Sequence, residues 1–277
     1  MVALKLDHIG FLTASLEHTT AAWRRLGFSV TSPRPLWQAD GLTPMSRSLG
    51  QSSAHVMFTH TYLEITAIDV ADSGHHLAPW RGAVDAPAIV ALSAVEPVAV
   101  HEQLRGAGHA VSRPGVAQRR IEYGVLQGEA RFEWFMWLHQ ESPEWLVCVM
   151  RHLTPELVFQ SAVQEHPNGA VELRGVYQAV GGKPSAGLRF AGTAAGVNML
   201  GEAEFDALLE LDGHASAAHA AGIANAAARV ALRVSVRDLA VARACLQAAG
   251  VAWQQTAQGL RIAPADAGGA WLLMSAA

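Results

Sequence analysis

Cysteine is scarce: Cys148 and Cys245 are the only two in 277 residues, too few for a disulfide framework or a cysteine-built zinc site. Each sits in an apolar run, where a thiol packs as a small hydrophobe. Charge is scarce as well, at 16% of residues, with 24 acidic against 20 basic side chains and no long run of either sign. A net charge of -4 without a basic stripe argues against nucleic acid as a partner. No apolar stretch reaches the roughly 18 to 20 residues that span a bilayer, and the opening Met1-Val2-Ala3-Leu4-Lys5-Leu6-Asp7-His8 puts charge where a signal peptide is apolar. The expectation is a cytoplasmic protein with no membrane partner. What the chain does have is a 51% hydrophobic content, ample for buried cores, together with 13 histidines and 8 tryptophans.

Position rather than count locates a site, and an internal repeat fixes which positions are equivalent. Leu4–Leu12 alternates in part and reads as a buried strand. A helix follows from Ser15 as N-cap, with Leu16, Trp23 and Leu26 on one face and Gly27 as its stop. Phe28-Ser29-Val30-Thr31 reads as a second strand. After a Pro- and Gly-punctuated loop come Ala54–Phe58 and Tyr62–Ile68, so the unit is βαβββ. The cadence returns at Ala88–Ser93, with a helix over Glu96–Leu104, a stop at Gly108, and strands Arg131–Leu138 and Trp145–Met150. It returns again at Arg229–Val234, with a helix from Asp238 and a stop at Gly250. Between these lies an eroded copy that starts with Leu173–Val180, its helix weakened by Gly187 and Gly192.

The expected fold is therefore α+β, with four βαβββ modules, the third degenerate, pairing into curved mixed sheets around a concave trough. Residues 1–152 form the first lobe, 153–170 a linker, and 171–277 a second lobe of two divergent modules. The Ala-, Gly- and His-rich stretch 213–228 reads as a surface connector.

Leu6-Asp7-His8-Ile9, the helix ending Arg24-Arg25-Leu26-Gly27-Phe28, and Tyr62-Leu63-Glu64-Ile65 together resemble the opening module of the vicinal-oxygen-chelate superfamily. Arg151-His152-Leu153-Thr154-Pro155-Glu156-Leu157-Val158, with His166-Pro167-Asn168-Gly169-Ala170, is similar to its glyoxalase-like branch. That superfamily includes glyoxalases, extradiol dioxygenases and bleomycin-resistance proteins. The resemblance implies a trough whose metal ligands come from the first and last strands of two paired modules, with His8 and Glu64 at two of those positions. It implies a divalent ion such as Zn, Fe(II), Mn or Ni, which imidazole and carboxylate both suit. The same nineteen-residue offset that separates His8 from Gly27 leads from Gly108 to Ile89 and from Gly250 to Ala231, neither able to bind metal. His152, on one strand face with Cys148 and Met150, is the candidate third ligand, and Glu64 the candidate catalytic carboxylate.

Each of these residues also has a structural reading. His8 can be a packed strand histidine, Glu64 a carboxylate satisfied by an arginine, and His152 the cap of a turn. His55 and His60 read as packing or surface residues, His75 and His76 as a loop over the trough, and His166 as turn chemistry. Phe132, Trp134, Phe135, Trp137 and Trp145 are core, some of them an apolar wall of the trough. The functional expectation is a glyoxalase-like protein that binds a small molecule, with metal-dependent lyase, isomerase or dioxygenase-type chemistry. The alternative is a sequestering protein of the bleomycin-resistance type. A homo-oligomer is compatible with either.

Overall fold

A computed structural model describes residues 3–39, 46–70, 74–82, 85–211 and 229–277. The first module comprises β1 (Lys5–Leu12), α1 (Leu16–Arg25), β2 (Arg34–Ala39), β3 (Ser46–Met57) and β4 (Tyr62–Ile68). Helix α1 begins where the Ser15 side chain accepts the amide of His18, leaving Trp23 fully buried on its inner face. The second module comprises β5 (Ala86–Ser93), α2 (Pro97–Gly106), β6 (Gly115–Ile121), β7 (Gly128–Met136) and β8 (Leu146–His152). Their eight strands close into a barrel in the order β1-β4-β3-β2-β6-β7-β8-β5. Within each module the first and last strands run parallel, and antiparallel seams at β1–β5 and β2–β6 join the two.

The second half repeats this plan incompletely. Its strands are β9 (Ala170–Val180), β10 (Val197–Gly201), β11 (Val230–Val236), β12 (Gln254–Thr256), β13 (Gly259–Ile262) and β14 (Trp271–Ala276). They form one open sheet in the order β10-β9-β11-β14-β13-β12. The fourth module, which includes the helix Leu239–Ala248, keeps the full strand order, with β11 parallel to β14. Among the described residues the third retains only β9, the six-residue helix Ala186–Ala191 and the parallel strand β10. It is the eroded copy, and an extra helix, Glu202–Leu209, follows it outside the module pattern. Residues 213–228, expected to be a connector, lie outside the described residues.

Register confirms the nineteen-residue offset. His8 faces Tyr62 across β1 and β4, Ile89 faces Leu146 across β5 and β8, and Ala231 faces Trp271 across β11 and β14. Each is the first pair of its parallel ladder. All three helices are stopped by a glycine with positive φ: +84° at Gly27, +86° at Gly108 and +65° at Gly250. The strand expected at 28–31 does not form. Ser29 N–H is taken by the His166 ring and Thr31 N–H by the His55 carbonyl, so the segment is tied down one bond at a time and the module's second strand starts at Arg34.

Three apolar clusters result, a small one around Phe205, Leu209 and Leu273 and two larger ones. One fills the barrel with Met57, Ile89, Phe132, Leu146 and Met150 among others. The other continues without a break from Ile9, Phe11, Trp23 and Val147 to Leu232, Leu246 and Leu272 of the second half. The stretch 153–170 runs through the short helix Pro155–Val158 and a single 3-10 turn before β9. Its end is stitched to the first module. His166 accepts from Ser29 N–H and donates to the Met57 carbonyl, while Asn168 donates its amide to the Leu26 carbonyl and its backbone N–H to that of Gly27.

Candidate functional site

The barrel encloses a cavity of about 630 Å³, including its open mouth, within the size range of small-molecule sites. Its polar groups come largely from the first module: His8 on β1, Gln51 on β3, and Tyr62 and Glu64 on β4. The second module supplies Ile89, Phe132, Trp134, Leu146, Cys148 and Met150 as an apolar wall, and a single cation, Arg119 on β6.

His8 and Glu64 meet. His8 Nε2 lies 3.6 Å from Glu64 Oε2, inside the roughly 6 Å within which two side chains can share one ion. Both are buried, at 6% and 8% exposure. His8 is fixed from behind by its neighbour: Nδ1 lies 2.8 Å from Asp7 Oδ1, and the ring stacks on Tyr62 at 4.3 Å. The Asp7 carboxylate is placed to accept from Nδ1, and the other ring nitrogen, Nε2, faces Glu64. Strict alternation would send Asp7 to the opposite face from His8. The β1–β5 register slips between Leu6 and His8, and this local bulge lets two consecutive side chains join one network.

Asp7 also contacts His152, whose Nε2 is 3.3 Å away. Burial opposes ionisation of Asp7, but His152 and His8 outweigh it and hold its carboxyl well below the ordinary range. Glu64 behaves alike: burial alone would raise its pKa, yet His55, His8 and Arg119 hold it low. Both carboxyls are therefore anions near neutral pH. His55, opposite Glu64 on β3, is depressed to about 3 by burial and by Arg119. Its Nε2 sits 2.6 Å from Arg119 Nη1 and 3.8 Å from Glu64 Oε1. A guanidinium cannot accept a proton, so His55 Nε2 is the acceptor of the shorter contact and the ring is neutral.

A family model described as a glyoxalase-like domain matches residues 6–191. The chain belongs to the glyoxalase-like domain family. No curated protein matches the sequence. Among solved structures, a hypothetical protein from Staphylococcus aureus is 9% identical, with a TM-score of 0.54 over 99% of this chain and 100% of that one. It shares the fold over both halves. A methylmalonyl-CoA epimerase from Mycobacterium tuberculosis is 16% identical, with a TM-score of 0.34 over 53% of this chain and 86% of that one. A Streptomyces coelicolor methylmalonyl-CoA epimerase in complex with 2-nitronate-propionyl-CoA is 13% identical, with a TM-score of 0.35 over 54% and 97%.

In this glyoxalase-like barrel the ligand positions of the superfamily can be read from register. Since Tyr62 corresponds to Leu146, Glu64 corresponds to Cys148, and His8 to Ile89. Isoleucine cannot ligate, and burial raises the Cys148 thiol above its ordinary range, which keeps it protonated. His152 lies four residues beyond Cys148 on β8 and meets Asp7 instead of Glu64. The residues present therefore do not fit the four-position metal site, and among the described residues no group of three or more His, Cys, Asp or Glu side chains is placed to hold an ion.

The remaining histidines divide by partner. His76 lines the cavity beside Trp134, its pKa lowered to about 4 by burial and His75, while His75 holds the loop through the Leu49 carbonyl and Leu77 N–H. His60 is exposed. Of the candidate aromatics, Phe132 and Trp134 reach the cavity, whereas Phe135, Trp137 and Trp145 pack in the outer cluster. Asp7, His55, Gln51 and Arg119 are site residues that sequence reasoning did not select. No helix among the described residues is long and apolar enough to cross a membrane.

Proposed function

We propose that this glyoxalase-like protein binds a small molecule in the barrel and moves a proton on it, as an isomerase or lyase does at a carbon next to a carbonyl. The supporting observation is the His8–Glu64 pair at 3.6 Å in a cavity whose other wall is largely apolar, with His8 backed by Asp7. Held ionised near neutral pH, Glu64 is free to accept a proton, and its burial limits competition from bulk water. Glu64 takes the proton, and His8 Nε2 lies close enough to receive it or to steady the charge that develops. Asp7 keeps His8 in the tautomer this needs, and His152 keeps Asp7 in place. No step here is assigned to a metal.

A second reading, a sequestering binder without chemistry, draws on Ile89 and Cys148 at the positions where the superfamily places ligands. Deuterium exchange separates the two. In heavy water, wild-type protein with a panel of small 2-oxo acids and hydroxyketones is expected to exchange the carbon-bound hydrogen of at least one member, followed by NMR. Glu64→Gln is expected to slow that exchange by about 10²–10⁴-fold, the range for loss of a positioned general base, while leaving the compound bound. Binding with no exchange in any member would establish the sequestering reading.

A further inference from the structure

Arg119 is a buried cation that is separated from the anionic Glu64 by the His55 ring. It is 3% exposed and lines the cavity, and no ion pair forms to it among the described residues. Its one polar contact is Nη1 to the neutral His55 ring, and its guanidinium lies 5.4 Å from the Phe132 ring centre, where the aromatic face attracts a cation. Nε and Nη2 are buried and have no hydrogen-bond partner among the described residues. These two N–H groups form one edge of the guanidinium, two parallel donors whose spacing matches the two oxygens of a carboxylate. A buried cation with its best edge unpaired is costly unless something pairs with it. Across the same cavity Gln51 Oε1 is also buried and unpartnered, an acceptor available to a ligand N–H or O–H.

We propose that the Nε–Nη2 edge of Arg119 is the anchor for the carboxylate of the natural ligand, which makes the ligand class a small carboxylic acid with a flat apolar body. The inference rests on the reading of the cavity as a small-molecule site and deepens it. Arginine is required over lysine because only the planar fork satisfies both oxygens at once. The body of the acid lies against Phe132, Trp134, Leu146 and Met150, while the anionic Glu64 lies beyond His55 on the opposite module. The carboxylate is thus held by the second module, and the carbon next to it is presented to His8 and Glu64 of the first. Arg119 binds and orients; it takes no proton.

Calorimetric titration with phenylacetate and phenylpyruvate, each against its uncharged primary amide, tests this. The carboxylates are expected to bind at least tenfold more tightly than the amides. Arg119→Gln is expected to lower carboxylate affinity by about 10–100-fold and leave amide affinity unchanged. Arg119→Lys, which keeps the charge and loses the fork, is expected to fall between, and it serves if the glutamine variant does not fold. Acid and amide binding alike to wild type, or weakening alike in the Arg119 variants, would overturn the anchor while leaving the cavity reading intact. If neither form of either compound binds, the anchor and the cavity reading fail together.

Discussion

Stability is expected to fall steeply as pH drops from about 6 to about 4. His55, His76 and His166 are held neutral, their pKa values lowered to about 3, 4 and 4, mainly by burial. In the unfolded chain each titrates near 6.5. Above that pH neither state binds the extra proton, so the three contribute no pH dependence. Below it the unfolded chain takes up protons that the fold refuses, which favours unfolding. Each such group removes about 1.4 kcal/mol per pH unit, so three together remove roughly 4 kcal/mol per unit until the folded-state values are reached. Asp7 and Glu64, held low in the fold, add to the loss once pH falls below their unfolded values of about 4. Against a typical total of 5–15 kcal/mol, acid unfolding is expected between about pH 4 and 5. Urea unfolding at half-unit pH steps, followed by circular dichroism, measures the slope. Replacing His166 by Gln is expected to flatten it by about a third. A stability unchanged between pH 6.5 and 4.5 would show that these histidines protonate in place.

Gly27→Ala is expected to destabilise the protein far more than the same change at Gly108 or Gly250, although the three glycines end equivalent helices. All three have φ in the left-handed region, where an added Cβ costs about 1–2 kcal/mol. Around Gly108 and Gly250 the space is open, with nothing within 4 Å of the new atom, so that strain is the whole cost. At Gly27 a Cβ would stand 2.4 Å from the Cys245 sulfur and 2.8 Å from the Asn168 Cβ. The sulfur can swing aside, but Asn168 is held by three hydrogen bonds through its side chain and N–H. Overpacking of this kind adds about 1–3 kcal/mol, for a total near 3–4 kcal/mol. Chemical unfolding of the three variants checks it, and Cys245→Ala in the Gly27→Ala background is expected to restore part of the loss. Equal losses at all three glycines would refute the steric account.

The modular plan was legible because a helix stop that needs positive φ is written as glycine, and three glycines at matching positions identify matching strands. The pairing of His8 with Glu64 was legible through the resemblance of Leu6–Ile9 and Tyr62–Ile65 to the opening module of the superfamily. Asp7 was not, because a period of two assigns it to the face opposite His8, and a one-residue bulge leaves no mark in composition. The available signal was its setting, an acid between Leu6 and His8 in a strand buried from Leu6 to Leu12. Arg119 was hidden in the run Gln118-Arg119-Arg120, which reads as solvated charge. Its period-two partners are Ala117 and Ile121, both buried, and that alternation could have pointed it inward. The false strand at 28–31 had suitable residues but no neighbouring strand to pair with, which local pattern cannot reveal.

The two seams of the barrel are unequal. Among the described residues, seven pairs join β1 to β5, whereas Trp37, Gln38 and Ala39 of β2 meet β6. Among the described residues the β2–β6 seam is the shorter ladder, so separation there would break fewer pairs than at β1–β5. Opened there, the two modules would part like the halves of a bivalve shell about β1 and β5, carrying Arg119 with one and His55 with the other. A compound entering by that route would meet the two halves of its site in turn, and it would be held only once the shell had shut.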